Sequence, residues 1–351
     1  MEYSVSLYYA GDNIQCKTVD LCRGEDDYRQ VYIVDDGKQK LVIKRVSNTF
    51  SDKRRIEGWF RLMEAYRHLG IYCPAVVPNR FGEYIHRDTV DGRDYYTYAE
   101  EFAAYPIAED VGEAHYTDAL GHESFMPDVL RSLGKVASAR LDVVDWPSAY
   151  CLLEPFCAPD TTDEATECAE RFADYVRKNL PAYLPRTEEL LRLFYKRQAE
   201  VREIYDTLPT SCFQADLNSS NILLDENDRF AGLIDFNLCG REPILNYAMR
   251  EALWGDADKR LFGENNSRLY LYDKDLDALR MELFLTNMGY IGETYTFSEA
   301  EKAAFPVLLR YMNSFWWFHL DEIARVHEDL KMVEALLDAL EWAMTRDDIR
   351  I

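Results

Sequence analysis

No run of eighteen apolar residues occurs in this 351-residue chain, so no helical membrane span is expected. Its first residues, Met1-Glu2-Tyr3-Ser4, offer neither a basic segment nor an apolar one. No secretory leader is read there, and the expected location is the cytoplasm. Positive charge is scarce: 40 Lys and Arg stand against 63 Asp and Glu, a net charge of −23. A phosphate backbone needs a basic footprint, so nucleic acid is not an expected partner. The six histidines are dispersed, and no pair of the eight cysteines has Cys-x-x-Cys spacing. A zinc site is therefore not expected, and the cysteines read as thiols of a reducing compartment. Neither a Gly-x-x-x-x-Gly-Lys-Ser/Thr loop nor a Gly-x-Gly-x-x-Gly fingerprint is found. No internal repeat or low-complexity tract is seen. Hydrophobic content of 48% is that of an ordinary globular protein, and the length is large for one core, so two lobes are expected.

The chemistry-bearing residues are concentrated between Phe213 and Phe236. Asp216 lies in a short polar loop, and Asn221 stands at the mouth of the apolar run Ile222-Leu223-Leu224. Asp225-Glu226-Asn227-Asp228 is a turn cluster, and Phe230 to Ile234 is a second apolar run that delivers Asp235. Such a hairpin brings Asn221 and Asp235 near each other with Asp216 beside them. An amide and a carboxylate can hold Mg²⁺ through oxygen, and a second carboxylate can orient an attacking hydroxyl. Asp-x-x-x-x-Asn alone is a weak signal; the framing strands, the turn and the closing Asp-Phe strengthen it. The bland reading is a surface hairpin with acidic caps.

The first hundred residues supply a partner for that site. Arg29 to Asp35 and Lys40 to Val46 read as strands joined by the turn Asp36-Gly37. Lys44 lies within the second, where an ammonium costs energy unless it meets an anion. Ser51 to Leu69 has helical periodicity, with Ile56, Phe60, Met63, Tyr66 and Leu69 sharing a face, and Gly70 stops it. Glu57 lies one turn into this helix and is the preferred partner for Lys44, with Glu64 as competitor. A strand lysine paired with a glutamate of the next helix holds nucleotide phosphates in protein-kinase-like folds.

Together these residues, from about Thr18 to about Leu253, resemble the aminoglycoside phosphotransferase and choline kinase superfamily. The resemblance implies an α+β, bilobal protein-kinase-like fold. Residues 1–102 would form an antiparallel sheet lobe with one helix that binds nucleotide, and residues 103–351 a larger helical lobe that binds the acceptor. It implies a kinase using ATP (GTP is the alternative) and Mg²⁺ on a hydroxyl of a small molecule. Lys44 would contact the α- and β-phosphates and Glu57 anchor it, with Gly24 in the phosphate-covering loop. The hinge would be Tyr98 to Ala103, with backbone groups near Glu101 and Ala103 meeting adenine. Asp216 would be the catalytic aspartate, and Asn221 and Asp235 the metal ligands. Candidate acceptor contacts are Asn218, Glu251, Trp254, Trp316, Trp317 and His319.

The chain departs from the family pattern in four places. Gln214-Ala215-Asp216 replaces His-Gly-Asp, and glutamine can likewise donate and accept. Asn246 replaces a customary Asp within Glu242-Pro243-Ile244-Leu245-Asn246-Tyr247, so a charge-assisted contact to the catalytic loop becomes a neutral one. Gly24 is followed by Glu25-Asp26-Asp27, acid where a triphosphate would lie. Asp235-Phe236-Asn237 lacks the glycine of Asp-Phe-Gly. The three groups at the catalytic and metal positions are present, which favours an active enzyme over a nucleotide-binding regulator without turnover.

After Phe102 helices are expected over Ser124 to Leu141, Glu164 to Leu180, Thr187 to Leu208, Leu276 to Asn287, Glu299 to Ile323 and His327 to Thr345, with Pro306 interrupting the fifth near its start. Phe315-Trp316-Trp317-Phe318 cannot all face one core, so one or two should meet solvent or a ligand. The expected acceptor is a sugar or amino sugar, followed by aminoglycosides and amino alcohols, which an acidic acceptor pocket would favour. His319 alone reads more readily as a satisfied core or surface histidine than as a base. Oligomeric state is not legible.

Overall fold

Gly37, with φ of +80°, turns the chain between the strands β2 (Asp27–Asp35) and β3 (Lys40–Asn48), where the Asp36-Gly37 signal places a hairpin. The computed structural model describes residues 3–10, 14–24, 27–158, 163–254 and 258–351. β1 (Gln15–Arg23) pairs with β2, and β3 pairs with β6 (Arg93–Glu101). β6 also takes β4 (Val76–Val77) and β5 (His86–Val90), and every pairing in this six-stranded sheet is antiparallel. The pleat sends Leu41 and Ile43 to one face, where they pack with Val5, Tyr9 and Val34. The short helix α1 (Tyr3–Ser6) lies there. Lys44 and Val46 face the other side, where Val46 joins the main core.

Asp52 caps α2 (Lys53–His68) by accepting from the Arg55 N–H at 2.8 Å. The helix buries Ile56, Trp59, Leu62, Met63 and Tyr66. This face is slightly rotated from the expected one, with Phe60 half-buried at its margin.

The rest of the chain is a larger helical lobe built around two small antiparallel ribbons. Its helices are α3 (Ala108–Val111), α4 (Glu113–Tyr116), α5 (Met126–Ala139), α6 (Glu164–Asn179), α7 (Leu184–Tyr205), α8 (Ile244–Trp254), α9 (Lys274–Gly292), α10 (Glu299–Met312), α11 (Trp317–Val326) and α12 (Leu330–Thr345). β7 (Thr210–Phe213) pairs with β10 (Gly240–Pro243), and β8 (Ile222–Leu224) with β9 (Phe230–Leu233). The loop carrying Asp216 therefore runs from β7 to β8, and that carrying Asp235 from β9 to β10. Both loops leave one ribbon and enter the other, so their positions are fixed at both ends.

One expected helix is two. The break falls at Asn313 to Trp316, not at Pro306, which sits inside α10. Lys302, whose carbonyl loses its partner to the proline, is exposed, so water can satisfy it. At the break the Ser314 hydroxyl donates to the Tyr311 carbonyl and the Trp316 indole N–H to that of Met312. Side chains thus take the carbonyls that further helix would have used.

Tyr72 ties the two lobes together. It bridges in parallel to Gly232, and its carbonyl accepts from the Leu233 N–H at 2.9 Å. A Cβ on Gly232 would lie 2.1 Å from that carbonyl oxygen, so glycine is required for the close approach. Gly232→Ala should lower stability by about 1–3 kcal/mol, read as a lower midpoint in thermal or urea unfolding. An unchanged midpoint would contradict this account of the junction.

Candidate active site

Gln214 is fully buried at the end of β7 and joins the two loops. Its Nε2 donates to the carbonyls of Ile234, at 3.0 Å, and Asp235, at 2.6 Å. Its Oε1 accepts from the Asp216 N–H at 2.7 Å, and its own N–H donates to the Tyr66 hydroxyl at 3.1 Å. A side-chain amide supplies the two donors and the acceptor that this junction uses. Ala215 and Asp235 hold positive φ angles of 66° and 56°. Non-glycine residues there cost roughly 1–3 kcal/mol each, which the surrounding hydrogen bonds must offset.

Asp216 is held by two amides. Asn218 Nδ2 donates to its Oδ1 at 2.7 Å, and Asn221 Nδ2 to its Oδ2 at 2.7 Å. Burial raises the pKa of Asp216 above the usual aspartate value, and the nearby Asp235 charge adds to this; hydrogen bonds from Asn218, Asn221 and Tyr150 oppose it. With Asn221 Nδ2 committed to Asp216, its oxygen is the atom left to meet a cation.

Lys44 stands where β3 faces this loop pair. Its Nζ is 3.4 Å from Asp235 Oδ1 and 3.4 Å from Glu100 Oε1. Burial disfavours the ammonium, but the Asp235 and Glu100 charges outweigh it and hold its pKa well above the ordinary lysine value. The expected Lys44–Glu57 pair is not formed. Glu57 is exposed and lies 3.8 Å from Lys53, and Glu64, the competitor, pairs with Arg67. The reason is the rotation of α2, which turns Trp59 and Leu62 inward. Glu100 takes the place from the neighbouring strand: Tyr98 is directly opposite Lys44, and Glu100, two residues on, shares its face.

The expected hinge, Tyr98 to Ala103, takes in the end of β6 and the two residues after it. The Glu101 N–H donates to Ala75, the Phe102 N–H to Lys40, and the Ala104 N–H to the Tyr72 hydroxyl, with Ala103 between them. Gly24 is exposed at the end of β1, and its carbonyl accepts from Arg93. Glu25 and Asp26 lie outside the described residues. Asp27 turns its carboxylate to Arg29 and Asn48.

Beside Asp216 opens a cavity of about 480 Å³, the size of a small-molecule site. Of the expected acceptor residues it gathers Asn218, Glu251 and Trp317. Trp317 is 42% exposed, while Phe315 and Phe318 are buried, so the aromatic run divides between core and surface as its length requires. Trp316 lines a neighbouring cavity instead. His319 is buried away from Asp216, and its Nδ1 accepts the Trp316 N–H that opens α11. Burial, with Arg280 and Arg268 nearby, lowers its pKa to about 3, so it is a neutral helix-capping group, and it does not line the cavity beside Asp216. Trp254 closes α8, and its side chain lies outside the described residues.

The cavity also draws on Glu123, Tyr150, Glu164 and Arg250, which no sequence pattern marks. The Arg250 guanidinium lies 3.6 Å from the Tyr150 ring centre and 3.7 Å from Glu164. The carboxyls of Glu123, Glu164, Asp216 and Glu251 line one chamber. Burial raises Glu251 to about 8 and Glu123 to about 7. Among the described residues no group of three His, Cys, Asp or Glu side chains is placed to hold a metal ion.

A model of the phosphotransferase enzyme family matches residues 21–280. The chain belongs to this family of phosphotransferases. No curated protein matches it by sequence. Among solved structures, the amicoumacin kinase hAmiN in complex with AMP-PNP, Ca²⁺ and Ami is similar at 14% identity and a TM-score of 0.52, over 97% of this chain and 91% of that one. A microcompartment-associated aminopropanol kinase is similar at 14% identity and a TM-score of 0.49, over 97% and 93% of the two chains. At such identity the first of these likenesses speaks for the fold.

Asn246 does not reach the Asp216 loop as expected. Its Nδ2 donates to Glu242 Oε1 at 3.2 Å and to the Tyr150 carbonyl at 3.4 Å. Glu242 is fully buried, also accepts from the Ser148 hydroxyl, and burial raises its pKa from 4.5 to about 7. An amide beside a protonated carboxyl avoids the two buried charges that an aspartate there would create. The folded state holds this proton more tightly than the unfolded chain. Stability from this group is therefore full below about 4.5 and is lost as pH rises through about 7. Glu242→Gln should unfold at a higher temperature than wild type at about pH 8, with little difference at about pH 5. A lower midpoint at the higher pH would show that the carboxylate is stabilised there.

Proposed function

We propose that this protein transfers the γ-phosphoryl group of ATP, with Mg²⁺, to a hydroxyl of a small molecule seated in the Asp216 cavity. The observation that carries the reading is the cluster of Asp216, Asn221, Asp235 and Lys44, locked by Gln214 at the junction of two loops. The division follows the fold, with nucleotide between the sheet lobe up to Phe102 and the loops, and acceptor among the helices beyond.

The donor set fits the metal. Mg²⁺ keeps several waters and is commonly held by one or two protein oxygens together with substrate phosphates. Asn221, whose Nδ2 is already spent on Asp216, would offer Oδ1, and Asp235 a carboxylate. The ion when bound would neutralise charge on the phosphates. Lys44, kept cationic by Asp235 and Glu100, would align them, and Glu100 takes the anchoring role first assigned to Glu57. Asp216 would orient the acceptor hydroxyl and accept its proton late in transfer. Its two amide partners fix the carboxylate plane, so the gain is chiefly positional.

The cavity supports an acceptor that carries an amine as well as the hydroxyl. Glu123, Glu164 and Glu251 line it with Asp216, and an ammonium seated among them would draw Glu123 and Glu251 back to the charged form that burial disfavours. This favours amino sugars, aminoglycosides and amino alcohols over neutral sugars. Gln214 and the acidic residues after Gly24 are what speaks for a regulator without turnover; the completed hydrogen bonds of Gln214 favour the active reading.

The test is ADP release from Mg·ATP across a panel of sugars, amino sugars, aminoglycosides and amino alcohols. Asp216→Asn should lose at least about 100-fold in turnover on whichever acceptor is used. Its Mg·ATP affinity should change by less than roughly threefold. Wild-type turnover in the Asn variant would remove Asp216 from the reaction.

A further inference from the structure

A second cavity, of about 620 Å³, adjoins the first and shares Arg250 and Trp317 with it. Its lining is the reverse of what a chain of net charge −23 leads one to expect. Arg250, Lys259, Arg268 and Arg280 line it, and among its described lining residues there is no carboxylate. Glu322, the nearest acid to Arg268 by hydrogen bonding, accepts from the Arg268 backbone N–H, the Tyr272 hydroxyl and Arg325. It is satisfied without the Arg268 guanidinium.

The three arginines lie against rings, Arg250 being also 3.7 Å from Glu164 and Arg280 donating to Asn313. The Arg268 guanidinium lies 4.9 Å from the Trp317 ring centre and 4.6 Å from that of Phe318. Arg250 lies over Tyr150 and 5.1 Å from Trp316, and Arg280 lies 4.5 Å from Tyr270. A guanidinium stacked by its face keeps its N–H groups at the edge, in the plane where carboxylate and phosphate oxygens bind. Arg250 and Arg268 are buried, so the stacks fix their positions before any ligand arrives.

We infer that the acceptor carries, beyond its hydroxyl and amine, an anionic group that seats in this second cavity. The inference deepens the kinase reading and takes from it that the acceptor hydroxyl lies beside Asp216. The shared chemistry is a carboxylate or a phosphate on a small polar molecule. Its hydroxyl and amine end would occupy the acidic chamber, and its anionic end would pass Arg250 and Trp317 into the basic one. The two chambers then select against a uniformly cationic acceptor, which would meet Arg268 and Lys259 with like charge.

The test reads anion binding without turnover, so its result stands apart from the fate of the kinase reading. The unfolding midpoint is measured at constant ionic strength in inorganic phosphate, in citrate and in chloride. Wild type, Arg268→Met and Lys259→Gln are compared in the presence of Mg·AMP-PNP, so that phosphate is not read at the nucleotide site. The expected result is a concentration-dependent rise with phosphate or citrate over chloride, needing about tenfold more anion in either variant. A response to phosphate alone names a phosphorylated acceptor, and a response to citrate alone a carboxylate. No rise over chloride, or an equal rise in all three proteins, overturns the inference. Should Arg268→Met fail to fold, Lys259→Gln decides, because Lys259 is exposed and its replacement leaves the core intact.

Discussion

Gln214 is the constraint on which the site depends. One buried side chain fixes the backbone of the Asp216 loop and that of the Asp235 loop to each other, at a point where neither loop has a strand ladder to hold it. Burying an amide is unfavourable unless its donors and acceptor are used. Here they are used on groups that would otherwise be orphaned, and the positive φ angles of Ala215 and Asp235 persist because the same bonds enclose them. The carboxylates of the two loops are then brought together by geometry and not by mutual attraction, which is absent between like charges.

Charge is distributed around that strut in a graded way. Lys44 sits between Glu100 and Asp235 and stays cationic despite burial. Asp216 and Glu251, which line the cavity beside that strut, are pushed towards their neutral forms. Farther out, arginines stacked on aromatic rings line a chamber without described carboxylates. A protein of strongly negative net charge therefore presents an acidic surface, a mixed centre and a basic recess. Net charge alone would have indicated only the first of these.

Much of this was legible in the sequence, for reasons that can be named. The β2–β3 hairpin, its Asp36-Gly37 turn and the run from Gln214 to Asp235 are set by local signals, and the structure follows them. Helices α5, α6, α7 and α12 follow their periodicity to within about three residues, but α8 was not read, α9 runs past its expected end at Asn287, and a side-chain cap at Ser314 and Trp316, and not Pro306, ends α10. What was missed depends on contacts distant in sequence. Glu57 has suitable spacing, but a modest rotation of α2 carries it to solvent, and Glu100 arrives from a strand 56 residues away. A register argument could have found it, since Lys44 and Glu100 share a face once β3 and β6 are paired. Glu123, Tyr150, Glu164 and Arg250 come from four separate segments, and no local pattern joins them.

The central claim is that Gln214 holds the two loops in register for nucleotide and metal. It is tested most directly by the Mg²⁺-dependent affinity for ATP, measured by calorimetry on Gln214→His and Gln214→Leu. Histidine can donate with one ring nitrogen and accept with the other, so its affinity should stay within about threefold of wild type. Leucine leaves two carbonyls and an N–H unpaired, at about 1–3 kcal/mol for each group so exposed, and should weaken Mg·ATP binding at least about tenfold. A leucine variant that folds and binds Mg·ATP as wild type does would contradict the account.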